Sequence, residues 1–448
     1  MKFYSTNNKN NVATMREAVL GGLSPDGGLY MPEYIPRLDS SFFEKISSMS
    51  FQEISLSVAE KFFQDDVPLE KLKNIIQDAF TFDIPLVTLG DSAYILELFH
   101  GPTLAFKDFG ARFMARLISF FLHKTNQELT ILVATSGDTG SAVASGFYQV
   151  QGIRVVILYP SKKVSELQEK QLTTMGANII SLEVEGTFDD CQRLVKEAFR
   201  DEELRGNITL TSANSINIAR LLPQSFYYFY AYAQLPDKNL PIVFSVPCGN
   251  FGNLTAGLIA KKMGLPVARF IASTNINDVV PEYLRTGIFT PRPSRETYSN
   301  AMDVGNPSNF VRMQELYNYN VDKMKQDISG FNFSDAETIE TIREVWKKFQ
   351  YTLDPHGAIG YRGLKSYLSQ TTLPINGIVL ETAHPAKFIS TIEQALKRPI
   401  KIPARLEEYL NKEKKATNIS SEYIELKNFL MNYLGAEPTR YQVDANLI

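Results

Sequence analysis

Short apolar runs alternate with amphipathic segments through the middle of the chain. The run ELTILVATS is rich in β-forming residues, and the segment that follows it, DTGSAVASGFYQV, has the composition of a helix. The same pairing recurs as RVVILYP with SELQEKQLTTMG, and as NIISLEV with FDDCQRLVKEAFRDEEL. Strands that alternate with helices at this spacing predict β-α units and a parallel sheet. Because the strand runs are apolar at nearly every position, both faces of that sheet are expected to be covered.

A second series of buried strands begins near residue 240. PIVFSVP precedes a helix that is predicted to begin near residue 253, ARFIAST follows that helix, and NGIVLETA is a further buried strand late in the chain. The aromatic run from Phe226 to Tyr232 is too short and too rich in tyrosine for a membrane span, so we interpret it as a buried helix face. The whole pattern predicts an α/β fold with two open, mainly parallel sheets and flanking helices.

The two ends of the chain differ from this middle. Residues 21–36 are dense in glycine and proline and predict loops and turns. Residues 40–82 have the spaced apolar positions of short helices, and the last fifty residues are charged and predicted to be helical. These changes of pattern predict an N-terminal domain at 1–84, a large domain built from 85–128 and 205–400, a small α/β domain at 129–204, and a C-terminal helical segment at 401–448.

Composition narrows the classes of partner. A chain of 448 residues suggests two or three packed units, and 44% apolar with 21% charged residues is ordinary for a globular protein. Lysine and arginine total 46 against 49 aspartates and glutamates, which argues against nucleic acid or an anionic membrane as a partner. The balance leaves room for a small anionic substrate, because a local site needs only a few charges.

The two cysteines, Cys191 and Cys248, do not form a C-x-x-C pair, so neither a zinc site nor a disulfide framework is predicted. We interpret Cys248 as a packed thiol, because no histidine adjoins it in the sequence. A reducing compartment fits this cysteine usage. The polar N-terminus lacks the apolar segment of a secretory signal, and no apolar run approaches the roughly 18 residues of a membrane span. We therefore expect a cytoplasmic protein that does not cross a membrane.

Two glycine-rich turns follow predicted strands. SGDTGSA at 136–142 lies between a strand and a helix, where free backbone N–H groups attract an anion. An ordinary tight turn capped by Asp138 or Thr139 explains this spacing equally well. CGNFGNLTAG at 248–257 is a second turn of the same kind. If both turns lie at the carboxyl ends of adjacent sheets, they form one cleft with two anion sites.

A lysine stands at the beginning of a predicted helix. Apolar residues recur at helical spacing after Asp108, so a helix is expected to begin there, directly after Lys107. The usual interpretation of such a lysine is an exposed, solvated side chain. The flanking Phe106 and Phe109 favour the alternative, a desolvated lysine whose lowered pKa lets it form an imine.

Several well-known catalytic motifs are missing. The chain contains no H-E-x-x-H and no G-x-S-x-G, which argues against zincins and α/β-hydrolases. The dinucleotide fingerprint G-x-G-x-x-G and the P-loop are also missing, and no metal site is predicted. The histidines are His100, His123, His356 and His384. We interpret His384 as structural, since it follows a predicted strand and precedes a proline.

Several long segments resemble the threonine synthase family. HGPTLAFKD, ATSGDTGSA, PCGNFGN, NAMDVGNPSNF and ETAHPAKF occur in the order seen in that family, and GLSPDGGLYMPE near the N-terminus is also similar to it. The resemblance spans residues 3 to 390. It implies a fold-type-II (tryptophan synthase β-like) pyridoxal-phosphate enzyme that converts O-phospho-L-homoserine and water into L-threonine and phosphate. Related fold-type-II enzymes carry S-G-N where this chain has Ser136-Gly137-Asp138.

The resemblance also implies roles for individual residues. Lys107 is similar to the Schiff-base lysine, and Thr382 to the hydroxyl that meets the pyridine nitrogen of pyridoxal phosphate. The large domain is then the cofactor-binding domain, and the expected assembly is a monomer or homodimer. The cofactor-phosphate cradle is implied at Gly249, Asn250, Phe251, Gly252 and Asn253, and the loop for the substrate carboxylate at Thr135, Ser136, Gly137, Asp138 and Thr139. Candidates from the sequence for binding the substrate phosphate are Arg116, Lys163 and Lys170. Candidates for lining the cleft are Asn300, Asp303 and Asn306 within 294–310, and Asp354 with His356.

Two alternatives remain at this point. One is another fold-type-II lyase, either a dehydratase or a phospho-lyase that uses phosphohomoserine without making threonine. The other is a non-catalytic ligand-binding protein on the same scaffold, because a fold by itself does not define an activity.

Overall fold

The computed structural model describes residues 1–90, 93–123, 128–371 and 373–434. Its strands are β1 (Lys2–Ser5), β2 (Val12–Thr14), β3 (Tyr30–Pro32), β4 (Leu86–Thr88), β5 (Ala93–Glu97), β6 (Leu129–Ala134), β7 (Ile153–Pro160), β8 (Ile179–Glu185), β9 (Leu210–Ser212), β10 (Ile242–Pro247), β11 (Val267–Thr274), β12 (Ile328–Asn332), β13 (Asn376–Glu381) and β14 (Thr417–Ser420).

The helices, in chain order, are α1 (Met15–Gly21), α2 (Ser40–Lys45), α3 (Phe51–Phe63), α4 (Leu69–Ala79), α5 (Lys107–Leu122), α6 (Asp138–Phe147), α7 (Glu166–Thr173), α8 (Phe188–Arg200), α9 (Glu202–Asn207), α10 (Ile218–Leu221), α11 (Phe226–Gln234), α12 (Gly252–Lys262), α13 (Val279–Thr286), α14 (Phe310–Leu316), α15 (Val321–Asp327), α16 (Asp335–Phe349), α17 (Pro355–Leu368), α18 (Ile389–Leu396), α19 (Ala404–Leu410) and α20 (Tyr423–Leu434). Short 3₁₀ turns lie at Ile46–Ser48, Leu222–Ser225, Asn300–Met302 and Pro385–Phe388.

The larger sheet has the strand order β12-β11-β10-β13-β5-β4. Its strands are parallel except at the β4 edge, where β4 pairs with β5 in the antiparallel direction. Every residue of β10 and β13 is buried, which is the burial that their apolar runs predict. The carboxyl ends of these two central strands are followed by residues 248–253 and 382–384, so both segments lie at the same edge of the sheet.

The smaller sheet has the order β14-β8-β7-β6-β9 and is parallel throughout. The β-α units predicted between residues 128 and 204 form its centre, so the α/β fold with two mainly parallel sheets is confirmed. Strand β6 is buried at all of its positions and ends directly before the turn at 135–139.

The prediction that the last fifty residues are helical is wrong at β14. Residues Thr417–Ser420 form an edge strand that pairs with Leu182–Glu185 of β8, between α19 and α20. Only Ile419 of this strand is buried, so no apolar run marks it in the sequence. Residues 435–448, which the predicted C-terminal segment includes, lie outside the described residues.

The N-terminal unit combines an antiparallel sheet, in the order β2-β1-β3, with α1 to α4. Thr14 and Glu17 form a reciprocal capping box that fixes the beginning of α1. The Gly/Pro-rich segment 21–36 is mainly loop, as predicted, but it also contains β3, which pairs with β1.

Helix α11 contains the aromatic run and packs inside the protein. Tyr228 contacts the rings of Phe244 and Phe270 from the larger sheet, and its Oη donates a 2.8 Å hydrogen bond to the carbonyl oxygen of Asn253. The predicted buried helix face is therefore present, and it supports the beginning of α12. Within the part of the chain that the structure describes, no helix combines the length and apolar character needed to cross a bilayer.

Candidate active site

Lys107 is the first residue of α5, and the segment before it is fixed to the segment after β13. The backbone N–H of Phe106 donates to the Thr382 carbonyl at 2.8 Å, and the N–H of His384 donates to the Leu104 carbonyl at 3.0 Å. Between these two bonds, Ala105 forms an antiparallel bridge with Ala383. The structure thus places Thr382 beside Lys107, at the carboxyl edge of the larger sheet.

The surroundings of Lys107 disfavour its charged form. The pKa of its amine is lowered from 10.5 to about 8, chiefly by burial; Asp138 raises this pKa, whereas the nearby Arg220 and Lys387 lower it. Its Nζ lies 5.9 Å from the centroid of the Phe106 ring. These features favour the desolvated lysine over the exposed one, and the neutral amine is the form that attacks an aldehyde.

The turn after β6 has the geometry of an anion site. Thr135 Oγ1 accepts hydrogen bonds from the N–H groups of Gly137 and Gly140 at 2.9 and 2.8 Å, which folds the turn back on itself. Gly137 has a φ of 132°, and a Cβ there would lie 2.6 Å from the Gln168 side chain, so glycine is required. Neither Asp138 nor Thr139 caps α6, since the N-cap residue is Gly137 and makes no side-chain cap, while Thr135 Oγ1 takes up the Gly140 amide. The backbone amides of Asp138 and Thr139 are left in the first turn as donors for an anion.

The Asp138 carboxylate, within this turn, binds a second buried lysine. Lys387 Nζ lies 2.6 Å from Asp138 Oδ1 and also donates to the Thr103 carbonyl at 3.0 Å. Gln168 Nε2 donates to the same Asp138 oxygen at 3.0 Å. Burial alone would raise the pKa of Asp138, but the ammonium groups of Lys387 and Lys107 outweigh it and hold that pKa well below its ordinary range. Lys387 belongs to the ETAHPAKF segment, yet the sequence did not suggest a role for it.

The turn after β10 forms a close-packed cradle. A Cβ at Gly249 would lie 2.6 Å from the Ala301 carbonyl oxygen and 2.8 Å from Met302 Cα, so only glycine fits under that loop. Phe251 adopts the left-handed region with a φ of 59°, and α12 begins after it without a side-chain cap. Asn253 Nδ2 donates to the Pro247 carbonyl at 2.8 Å and ties the turn to its strand. Neutral amide donors at a tight helix beginning fit a phosphate group.

A polar segment that the sequence did not single out connects the two turns. Asn214 Nδ2 donates to the Ala134 carbonyl at the end of β6, and Ser215 Oγ accepts hydrogen bonds from Asn250 and Asn309. The signal that could have revealed it is SANSIN at 212–217, a polar stretch that follows β9 at the carboxyl edge of the smaller sheet. The segment joins the edges of both sheets into one site.

Open space adjoins this site. A cavity of about 1090 Å³ lies between the N-terminal unit and the smaller sheet, and its lining includes Ala134, Asn214, Asn250 and Ser308. It therefore reaches the connecting segment and the cradle, but Lys107 is not part of its lining.

The loop that covers Gly249 is held by a histidine. His356 Nε2 accepts a hydrogen bond from the N–H of Ala301 at 3.3 Å, while its Nδ1 lies 2.5 Å from Asp354 Oδ1. Asp354 is fully buried and also caps α17. The structure thus connects Asp354 and His356 to the cradle through the backbone of Ala301.

The segment 294–310 is held by a partly buried carboxyl group. Asp303 Oδ1 accepts hydrogen bonds from Asn275 Nδ2 and Thr297 Oγ1 at 2.8 and 2.7 Å. Burial raises the pKa of Asp303 to about 7, although these hydrogen bonds act in the opposite direction. Asn300 Oδ1 is buried with no hydrogen-bond partner among the described residues, whereas Asn306 is exposed.

The cations proposed from the sequence for the substrate phosphate are engaged elsewhere. Arg116 pairs with Asp78, Lys163 pairs with Glu296, and Lys170 donates to the Lys412 carbonyl. The buried cations that surround Lys107 are instead Lys387 and Arg220. Arg220 donates to the Ala213 carbonyl, and its Nε is buried without a partner in the described ranges.

The remaining candidates have structural environments. Cys248 is buried, its thiol donates to the Val246 carbonyl, and burial raises its pKa, so it is a packed residue. His384 has its pKa lowered to about 4, chiefly by burial, and its Nδ1 accepts a hydrogen bond from the N–H of Ala386. Across the described ranges, no group of three His, Cys, Asp or Glu side chains has an arrangement suited to a metal ion.

Comparisons with known proteins show the family of this chain. The family model described as pyridoxal-phosphate dependent enzyme matches residues 83–380, and models described as threonine synthase N terminus and threonine synthase, C-terminal match residues 2–80 and 357–430. Threonine synthase from Escherichia coli (strain K12) is 43% identical over 435 residues, which cover 97% of this chain and 100% of the relative. Threonine synthase from Buchnera aphidicola subsp. Acyrthosiphon pisum is 45% identical over 438 residues, which cover 96% and 100%.

Solved structures agree with the sequence comparisons. The crystal structure of threonine synthase from Escherichia coli superposes with a TM-score of 0.92 at 42% identity, covering 97% of this chain and 100% of that one. PLP-bound threonine synthase from Brucella melitensis gives 0.89 at 34% identity, covering 97% and 99%. A fungal L-serine ammonia-lyase from Rhizomucor miehei, at 14% identity and a TM-score of 0.56, shares the fold alone. The chain therefore belongs to the threonine synthase family of pyridoxal-phosphate-dependent enzymes.

Proposed function

We propose that this chain converts O-phospho-L-homoserine and water into L-threonine and phosphate, as a cytoplasmic monomer or homodimer. The single observation that most supports the proposal is the desolvated Lys107, whose pKa is lowered to about 8 and which lies near Asp138 of the turn at 135–139. Residues 214–215 connect that turn to the cradle at 249–253. Full-length identity of 43–45% to threonine synthases favours this reaction over that of a dehydratase or a phospho-lyase.

The residues present fit pyridoxal phosphate. Lys107 Nζ would bond to its aldehyde carbon, the turn from Gly249 to Asn253 would hold its phosphate, and Thr382 would meet its ring nitrogen. When bound, the cofactor supplies that aldehyde and an electron-withdrawing ring that stabilises negative charge at the substrate Cα. Thr382 offers a neutral hydroxyl, which does not stabilise a positive charge as a carboxylate would, and this restrains side reactions such as racemisation.

Lys107 is the proposed proton carrier. With substrate in the site, the neutral amine of Lys107 would remove the proton from the substrate Cα. A second proton would leave Cβ and phosphate would leave from Cγ. One proton would return to Cγ to make the methyl group, water would add at Cβ with the assistance of Lys107 or the departed phosphate, and the second proton would return to Cα. A lysine with its ordinary pKa would be almost fully protonated at pH 7 and could not act as this base.

The turn at 135–139 is the proposed site of the substrate carboxylate. The first-turn amides of Asp138 and Thr139, with the half-buried side chains of Ser136 and Thr139, offer donors of the kind that a carboxylate accepts. The ion pair between Asp138 and Lys387 holds this turn against the segment that follows β13. The substrate amine is thereby oriented toward the position of Lys107.

The proposal is tested by replacing the lysine and identifying the products. Lys107→Ala is expected to abolish both turnover and the absorbance that borohydride discharges, whereas the surface variant Lys365→Ala should behave as the native protein. With phosphohomoserine, the native protein should release threonine and phosphate. Release of 2-oxobutyrate and ammonia instead would identify a different lyase, and turnover by Lys107→Ala would contradict the assigned role.

A further inference from the structure

Arg312 is a fully buried arginine whose partners are all neutral. It lies on α14, and its guanidinium donates every one of its recorded hydrogen bonds to carbonyl or amide oxygens. The acceptors are the Tyr30 carbonyl at 2.9 and 3.2 Å, the Ile216 carbonyl at 2.7 Å, the Ser215 carbonyl at 3.1 Å and Asn309 Oδ1 at 2.8 Å.

No carboxylate compensates this charge within the described ranges. Glu315, the acid one turn further along α14, is bound instead by Lys9 at 2.9 Å and by the hydroxyls of Tyr4 and Tyr319. Burial lowers the pKa of Arg312 to about 9, and no acidic neighbour raises it again. The side chain is still cationic at neutral pH, and a buried charge without a counter-charge is unfavourable by several kcal/mol.

The uncompensated guanidinium lies directly behind the cradle. Two of its acceptors belong to Ser215 and Ile216, and Ser215 Oγ accepts hydrogen bonds from Asn250 at 2.9 Å and Asn309 at 3.0 Å. A Cβ at Gly252 would lie 3.3 Å from Ser215 Cβ, so this segment contacts the first turn of α12. The side chains that these contacts bring to the cradle, Asn250, Ser215 and Asn309, are neutral.

We propose that Arg312 supplies the buried counter-charge for the cofactor phosphate, acting as a positioning residue through Ser215 and Asn309. The inference rests on the proposed assignment of residues 249–253 as the phosphate cradle. A phosphate with nearly two negative charges, held only by neutral donors, gains from a positive charge in a low-dielectric interior. In return, the phosphate is the anion that Arg312 lacks.

A purely structural role predicts a different behaviour. If Arg312 only linked Tyr30 of the N-terminal unit to the segment 215–216, its loss would weaken the binding of any ligand at this site to a similar extent. If its charge stabilises the bound phosphate, the loss of Arg312 weakens the binding of phosphorylated ligands more than that of unphosphorylated ones. The decisive quantity is therefore the ratio of the dissociation constants for pyridoxal and pyridoxal phosphate.

The experiment titrates cofactor-free, full-length chains with both ligands by equilibrium dialysis. Arg312→Gln, which removes the charge but keeps an amide donor, should lower the pyridoxal to pyridoxal-phosphate ratio at least tenfold relative to the native chain. Arg312→Lys, which keeps the charge but loses the fork of donors, should stay within threefold. Arg269→Met is the matched control, since Arg269 lies on β11 and donates to the Lys325 carbonyl of α15, and it should leave the ratio unchanged.

The outcomes separate the inference from the proposed cradle. A ratio in Arg312→Gln within twofold of the native value, or an equally large loss in Arg312→Lys, overturns the counter-charge. If the native chain itself does not prefer the phosphorylated ligand, the assignment of the cradle fails first. Should Arg312→Gln not fold, Arg312→Lys decides by the same assay: a ratio within threefold supports the inference, and a tenfold fall overturns it.

Discussion

The ion pair between Asp138 and Lys387 offers the sharpest test of how the site is held together. Both side chains are buried, Lys387 Nζ lies 2.6 Å from Asp138 Oδ1, and the two residues come from the turn after β6 and the segment after β13. At that separation, with an effective dielectric constant of about 20, the attraction is about 6 kcal/mol. Much of it offsets the cost of removing both charges from water, so the pair contributes little net stability, whereas either charge alone is strongly unfavourable.

This reasoning predicts a pronounced double-mutant coupling. Asp138→Asn keeps the shape of the side chain and its hydrogen bond from Gln168, but leaves the Lys387 charge buried without a partner. The expected cost is about 3–5 kcal/mol in the free energy of unfolding. Lys387→Met should also be costly, because it removes the ammonium group in contact with Asp138 and leaves only the more distant Lys107 as a counter-charge. The double variant, in which both positions are neutral, should recover most of the loss, with a coupling energy of at least about 2 kcal/mol.

The assay is urea unfolding at neutral pH, with the first transition followed by circular dichroism. A surface pair provides the control: Lys365 lies 2.6 Å from Glu344 with both side chains substantially exposed, so Glu344→Gln should cost less than about 1 kcal/mol. If Asp138→Asn costs no more than Glu344→Gln, or if the double variant loses the sum of the two single losses, the argument from buried charge is wrong.

Two further predictions concern the cofactor. The rate at which the cofactor-free chain captures pyridoxal phosphate should rise with pH, with a midpoint near pH 8 and a plateau above it, because the pKa of Lys107 is lowered to about 8, chiefly by burial. Since Asp138 raises that pKa, Asp138→Asn should move the midpoint to lower pH. Stopped-flow absorbance at the imine band measures the rate, and a midpoint near 10, as for an exposed lysine, would contradict the reasoning. Gly249→Ala should weaken cofactor binding at least tenfold, because its Cβ would lie 2.6 Å from the Ala301 carbonyl, while Gly206→Ala, where a Cβ meets nothing within 4 Å, should bind normally in the same dialysis measurement.

Much of the fold follows from local patterns. Strands such as β6 and β10 are buried on both faces, so each is an apolar run that needs no alignment to be recognised. The two glycine-rich turns follow these strands directly, and parallel pairing places such turns at one edge of each sheet. Strand β14 was not predicted, because it is a short edge strand with one buried residue and therefore has almost no apolar pattern.

The partners within the site could not be predicted in the same way. Lys387 lies in the ETAHPAKF segment, but its contact with Asp138 joins segments that follow strands of two different sheets and therefore depends on the tertiary fold. No sequence pattern distinguishes Arg312, because an arginine on a short helix is normally solvated. Only its burial against carbonyl groups in the folded structure shows that its environment is unusual. Motifs thus indicated the residues that we propose to meet ligands, whereas the buried charges beside them depend on the tertiary fold.

The Asp138–Lys387 pair also gives a physical reason for the Ser-Gly-Asp sequence of the turn. An asparagine at position 138 would leave the buried ammonium group of Lys387 without a counter-charge, so the two positions are constrained together. In a chain with Ser-Gly-Asn in this turn, a neutral residue at the position of Lys387 would leave no buried charge without a partner. The aspartate, however, also raises the pKa of Lys107, which the neighbouring Arg220 and Lys387 lower. The pair therefore adds one charge of each sign beside the proposed base and leaves the net charge around Lys107 unchanged. It also holds the turn at 135–139, the proposed site of the substrate carboxylate, in place.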